Sequence, residues 1–157
     1  ENQTILTEVA SFNLSEQLRS CILLLIDKWE KKNLDFKLDF KEYMISANEE
    51  LLKQVWINLI DNAIKFSPQG GRIELHIQTN NDIIAVSILN PGEDISIEEQ
   101  KKIFNKFYQA DSSHSMEGNG IGLAVARRVT ELHNGRITVQ SEKGITMFTV
   151  ELPAEPL

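Results

Sequence analysis

The stretch NEELLKQVWINLIDNAIKF, residues 48–66, constrains the fold more than any other. It opens on Asn48, whose side-chain oxygen suits the free N–H groups of a helix start, and two acids follow where the helix dipole favours negative charge. At about 100° per residue, Val55, Trp56, Leu59, Ile60, Ala63 and Ile64 fall on one broad apolar arc. An arc that wide must lie on another apolar layer. The spacing predicts a helix over 48–66, stopped by SPQGG.

The rest of the chain supplies the layer. DFKLDF and YMISA read as short strands, RIELHIQT and DIIAVSIL as strands joined at NND, and RITVQSE and TMFTVEL as closing strands around a Lys143–Gly144 turn. FNLSEQLRSCILLLIDKWEKKN predicts a strand-like residue or two, then a helix of about five turns with Ser15 as N-cap. IEEQKKIFNKF predicts a shorter helix, and IGLAVARRVTELHNG a helix stopped at Asn134–Gly135. NPGEDIS reads as a loop. Hairpins mixed with three substantial helices give an α+β class: a two-layer sandwich, helices on one face of a mostly antiparallel sheet. The 157 residues form one domain, with its core over about 12–152.

One edge of the 48–66 helix is polar in an unusual way. Asn58, Asn62 and Lys65 lie within about 60° of one another beside the apolar arc. Asparagine is a poor residue inside a helix because its amide competes for backbone hydrogen bonds. A solvated edge is the default reading of such a row. The sharper reading is amide oxygens suited to Mg²⁺ with a cation suited to phosphate.

A second feature is EGNGIGLAVARR, where Gly118, Gly120 and Gly122 alternate and a helix starts at about Ile121. Its G-x-G-x-G spacing follows a polar loop, so it is not the G-x-G-x-x-G fingerprint, and no G-x-x-x-x-G-K-[ST] loop occurs. Backbone N–H groups at such a helix start suit phosphate; a hinge with a close helix–sheet contact explains the glycines equally well. The net charge of −7 argues against nucleic acid as a partner. Cys21 alone forms no internal disulfide and reads as a buried thiol. No apolar run approaches the roughly 20 residues that cross a bilayer.

In order along the chain, NLIDNAIKF, NPGEDI, IFNKFYQAD and GNGIGLAVA resemble the ATP-binding catalytic domain of bacterial sensor histidine kinases, within the gyrase, chaperone, kinase and MutL ATPase superfamily. The resemblance implies a Bergerat-type fold holding ATP and Mg²⁺ beneath a lid over about 109–119. It implies Asn62 as the main metal ligand, Asn58 as its support, Lys65 facing phosphate, and Phe66 beside the nucleotide or in the core. Phe104 and Phe107 match the phenylalanine box at the base of the lid. Gly118, Asn119, Gly120, Ile121, Gly122 and Leu123 would line the phosphates. Asn90, Gly92 and Ile95 would line the base. The family's loop usually carries Asp-x-Gly-x-Gly; here Asn90 stands for the Asp and Asp94 for the last Gly. The implied adenine contact is retained through the Asn90 amide, without a carboxylate's charge.

Phosphotransfer is favoured over hydrolysis. The hydrolytic branches carry a Glu where this chain has Asn58, which cannot act as a base. The resemblance implies that ATP phosphorylates a histidine on a dimerisation domain of the same protein, which then serves a response regulator. His76, His114 and His133 lack the acceptor's context, so no catalytic residue is expected within this chain. The chain is expected to be monomeric, and the full protein a homodimer with this domain in the cytoplasm, attached to a membrane-bound sensor. The competing readings are a serine kinase of the anti-sigma-factor type and a non-catalytic module with a degenerate pocket.

Overall fold

The computed structural model describes residues 6–105 and 120–154. Strand β1 (Val9–Asn13) leads into α1 (Leu14–Leu24) and α2 (Ile26–Lys31), followed by β2 (Asp35–Asp39), β3 (Met44–Asn48) and α3 (Glu49–Phe66). Then come β4 (Arg72–Thr79), β5 (Ile83–Pro91), α4 (Ile97–Gln100), α5 (Gly122–Leu132), β6 (Arg136–Glu142) and β7 (Ile145–Pro153). Asn48 caps α3 as its sequence predicts, accepting from Leu51 N at 2.9 Å.

Five strands form the main sheet in the order β2-β4-β5-β7-β6, with β2 parallel to β4 and every other pair antiparallel. Alternation decides which face meets the helices. Ile84, Val86, Ile88 and Asn90 of β5 are buried, paired in register with Leu152, Val150, Phe148 and Thr146 of β7. Against this face lie the fully buried Leu52, Val55, Trp56, Leu59 and Ile60 of α3. The indole of Trp56 donates to Gln17 Oε1 at 2.8 Å, and Gln17 Nε2 donates to Glu49 O at 2.9 Å, so α1 is tied to α3 by a satisfied buried pair. The two-layer α+β class holds.

Four local expectations need correction. The first helix is broken at Leu25, which lets the Trp29 indole donate to Ile22 O at 2.9 Å and set its ring edge-on to Phe36 of β2. Its N-cap is Asn13, accepting from Glu16 N; Ser15 is buried and donates to Lys41 O at 2.6 Å. YMISA joins the main sheet nowhere: β3 pairs with β1, a five-residue strand, in a separate two-stranded sheet. Among the described residues, the helix expected from IEEQKKIFNKF is regular only over Ile97–Gln100, held by a Ser96–Glu99 capping box.

Candidate functional site

Helix α3 is the spine of the site. Asn58, Asn62, Lys65 and Phe66 are half-buried along one edge of it, beside the sealed apolar arc. The start of α5 rests on this edge at Asn58. A Cβ added at Gly122 would lie 3.0 Å from Asn58 Oδ1 and 3.4 Å from its Cγ, so only glycine permits this approach without displacement. Gly120 takes φ +75° just before it. The N-cap of α5 is Ile121, whose side chain cannot accept, and the first turn holds no acid. Ile121 therefore gives the leading N–H groups of α5, from Gly122 and Leu123 onward, no side-chain cap of its own.

The other end of the edge meets the end of β5. Strand pairing continues through Asn90 and Pro91, so the expected loop starts two residues later than its sequence predicts. A Cβ at Gly92 would lie 2.7 Å from Phe66 O, which brings this loop directly against the last turn of α3. Asn90 is 3% exposed, and its Nδ2 donates to Pro91 O at 2.8 Å. A carbonyl only accepts, so this bond fixes the amide's orientation and leaves Oδ1 as its accepting end. Beyond it, Ile95 N donates to Ser141 Oγ at 2.7 Å.

Between Asn58 and Phe66 lie about 12 Å of helix axis, so the two contacts stand at opposite ends of one strip. The Lys65 ammonium sits 5.9 Å from the centroid of the Phe66 ring. Phe104 meets Phe148 edge-on, with centroids 5.9 Å apart, which roots its segment in the core. Phe107, the expected lid over 109–119, His114, Gly118 and Asn119 lie outside the described residues.

The titratable neighbours are occupied. Asp61, next to Asn62 in sequence, pairs with Lys28 of α2 at 2.9 Å. His133 is 2% exposed; its Nδ1 bonds Val129 O at 2.9 Å and its Nε2 accepts from Asn48 N at 3.1 Å. That pattern needs a neutral ring with the proton on Nδ1, so His133 bridges α5 to the end of β3, where α3 begins. His76 lies between Asp39 and Glu74, at 3.3 and 3.1 Å, on the sheet face opposite the helices. Sequence reasoning missed Lys32, whose ammonium donates to Ile64 O and Lys65 O at 2.8 and 3.0 Å and so holds the last turn of α3. Its signal was weak: a lysine just past a helix end, with nothing to mark its target.

A family profile describing histidine kinase-, DNA gyrase B- and HSP90-like ATPases matches residues 47–156. The heme sensor protein HssS of Staphylococcus saprophyticus is 40% identical over 127 residues, 80% of this chain and 27% of that one. The sensor histidine kinase CusS of Escherichia coli O6:H1 is 28% identical over 156 residues, 98% of this chain and 32% of that one. The chain thus spans about a third or less of these relatives' lengths. The catalytic domain of histidine kinase ThkA superposes with a TM-score of 0.83 at 30% identity, covering 94% of this chain and 97% of that one. ThkA in complex with the response regulator TrrA matches at a TM-score of 0.79 and 29% identity, covering 94% of this chain and 42% of that one. The chain belongs to the histidine kinase-, DNA gyrase B- and HSP90-like ATPase family, whose domain binds ATP. Within that family it is a catalytic ATPase domain of the sensor histidine kinase type.

Proposed function

We propose that this chain binds Mg-ATP along the α3 edge, phosphates toward Asn58 and α5, base toward Asn90, and presents the γ-phosphoryl group to a histidine carried elsewhere in the parent protein. The observation that carries this reading is the strip itself. Two glycines let two separate segments close on α3, Gly122 at Asn58 and Gly92 at Phe66. One end offers the N–H groups of a helix start and amide oxygens, which suit phosphate and a hard cation. The other offers a lone accepting oxygen on Asn90, which suits the exocyclic amino group of adenine and opposes the O6 of guanine.

The donor set fits Mg²⁺. Asn62 and Asn58 would hold it through amide oxygens, and phosphate and water would fill its remaining positions. When bound, it neutralises charge that develops on the phosphates. The chain's own residues supply the rest. Gly118, Asn119, Gly120, Ile121, Gly122 and Leu123 would bring backbone donors to the phosphates, and Lys65 a cation. Phe66, Gly92 and Ile95 would wall the base.

No general base stands on this edge: Asn58 cannot take a proton at neutral pH, and Asp61 is paired with Lys28. Water is therefore not activated from α3, which supports transfer to an incoming imidazole through positioning and charge. The acceptor histidine would lie on a dimerisation domain of the same protein, and a response regulator would receive the phosphoryl group. The pairing of ThkA with TrrA supports that partner class. No described helix is long and apolar enough to cross a membrane. We place the domain on the cytoplasmic side of a membrane-bound, homodimeric sensor, and the chain alone as a monomer. Calorimetric titration with ATP and GTP, each with and without Mg²⁺, tests the site; saturable, Mg²⁺-enhanced binding of ATP over GTP is expected, and no saturation up to millimolar ATP would reject it.

A further inference from the structure

Asp94 stands where the resembled family keeps a glycine, and its side chain reaches the β6–β7 turn. Its Oδ1 accepts from Gly144 N at 2.8 Å, in the turn of the β6–β7 hairpin. The same glycine's carbonyl accepts from Gly92 N at 3.0 Å. One residue on, Ile95 N donates to Ser141 Oγ, which lies 2.8 Å from Thr146 Oγ1. Thr146 is the register partner of Asn90. The loop after β5 is thus fastened to the hairpin at Gly92, Asp94 and Ile95, while Gly92 also abuts Phe66 O. Lys143 and Gly144 both take left-handed φ, +54° and +81°, which turns the Gly144 N–H and C=O toward the loop.

We infer that Asp94 is a positioning residue for the base end of the nucleotide site: its carboxylate latches the loop to the β6–β7 turn and so holds Asn90 and Gly92 in their binding arrangement. This rests on the nucleotide reading above. The latch removes freedom that a glycine at this position would leave, so the loop is ordered before the ligand arrives and less entropy is lost on binding.

Charge and latch predict opposite signs for the same substitution. If Asp94 acted only as a negative charge near an anionic ligand, Asp94→Ala would tighten Mg-ATP binding. As a latch, Asp94→Ala weakens it. One charge-assisted hydrogen bond at an exposed site corresponds to about a fivefold rise in Kd. Asp94→Asn keeps an accepting Oδ1 and restores most of the affinity. Three readouts on the wild-type chain and both variants test this: Mg-ATP Kd by calorimetry, amide exchange of Gly144 and Gly92 by NMR, and the unfolding midpoint. The expected result is weaker binding and faster exchange at both glycines in Asp94→Ala, recovery of both in Asp94→Asn, and little change in midpoint. Unchanged or tighter binding in Asp94→Ala overturns the inference, as does unchanged exchange at Gly144. So does an Asp94→Asn variant as weak as the alanine. A wild-type chain that fails to bind Mg-ATP sinks the nucleotide reading itself, and this inference with it.

Discussion

Replacing Gly122 by alanine separates the stability of the fold from the geometry of the site. The new Cβ would stand 3.0 Å from Asn58 Oδ1 and 3.4 Å from Asn58 Cγ, so the amide must retreat by a few tenths of an ångström. Against that, a helical alanine is favoured over glycine by about 0.5–1 kcal/mol. Relieving the overlap costs about 1 kcal/mol, since a half-exposed side chain yields more easily than a sealed one. The two nearly cancel. The unfolding midpoint should move by no more than about 2–4 °C. Binding should not be spared, because Asn58 is moved and the first turn of α5 with it. Small displacements of positioning groups are amplified in affinity and rate, and a loss of about tenfold in Mg-ATP affinity is expected. The assay is calorimetry beside thermal unfolding of the same sample. A variant that keeps wild-type affinity would refute the assignment of the Asn58–Gly122 contact to the site. One that loses more than about 10 °C would mark the contact as structural.

Other outcomes follow from the same contacts. Gly92→Ala sets a Cβ 2.7 Å from the Phe66 carbonyl, a backbone atom that cannot swing aside, so both stability and nucleotide binding should fall, by about 1–3 kcal/mol in unfolding free energy. His133→Ala removes the acceptor of the buried Asn48 N–H and opens a cavity between the end of α5 and β3; denaturant titration should show a loss of about 2–4 kcal/mol with binding otherwise retained. Burial pushes the Cys21 thiol up to about 11 from its ordinary 9.0. The raised value means the folded state disfavours the thiolate, so this contribution to stability is whole below about pH 9 and fades as pH rises toward 11. At pH 8 a thiol reagent should therefore label Cys21 at the rate of unfolding, and fast labelling of the native chain would contradict its burial. Lys32→Met should loosen the last turn of α3, read as faster amide exchange near its end and weaker Mg-ATP binding, with Lys32→Arg restoring part of both.

Much of this was legible in the chain. Helix α3 was readable in full because its signals agree: an Asn cap, acids in the first turn, a wide apolar arc and a Ser-Pro-Gln-Gly-Gly stop. Strand β4 was readable to the residue because alternation is strict where one face is buried. The break at Leu25 was not, since CILLLI is apolar at every phase and only the later packing of Trp29 on Phe36 selects the kink. Nor was the separate β1–β3 sheet, because pairing partners are set by topology and not by a strand's own pattern. In the site, residue types announced the asparagine row and the glycines. What they could not announce were the partners: Asn58 against Gly122, Asn90 bonded to its own neighbour, Asp94 reaching the hairpin turn, and Lys32 on the helix end. Each joins residues far apart in sequence or depends on a side-chain rotation, and neither is written in spacing.

The most direct test of the central claim, that α3 carries an Mg-ATP site built on its asparagine row, is calorimetric titration of ATP into the chain and its Asn62→Ala variant, with and without Mg²⁺. The account predicts saturable binding to the wild type that Mg²⁺ tightens, and a variant in which that Mg²⁺-dependent gain is gone. A variant whose Mg²⁺ dependence matches the wild type would contradict the assignment of Asn62, and a wild-type chain with no saturable binding at millimolar ATP would contradict the account as a whole.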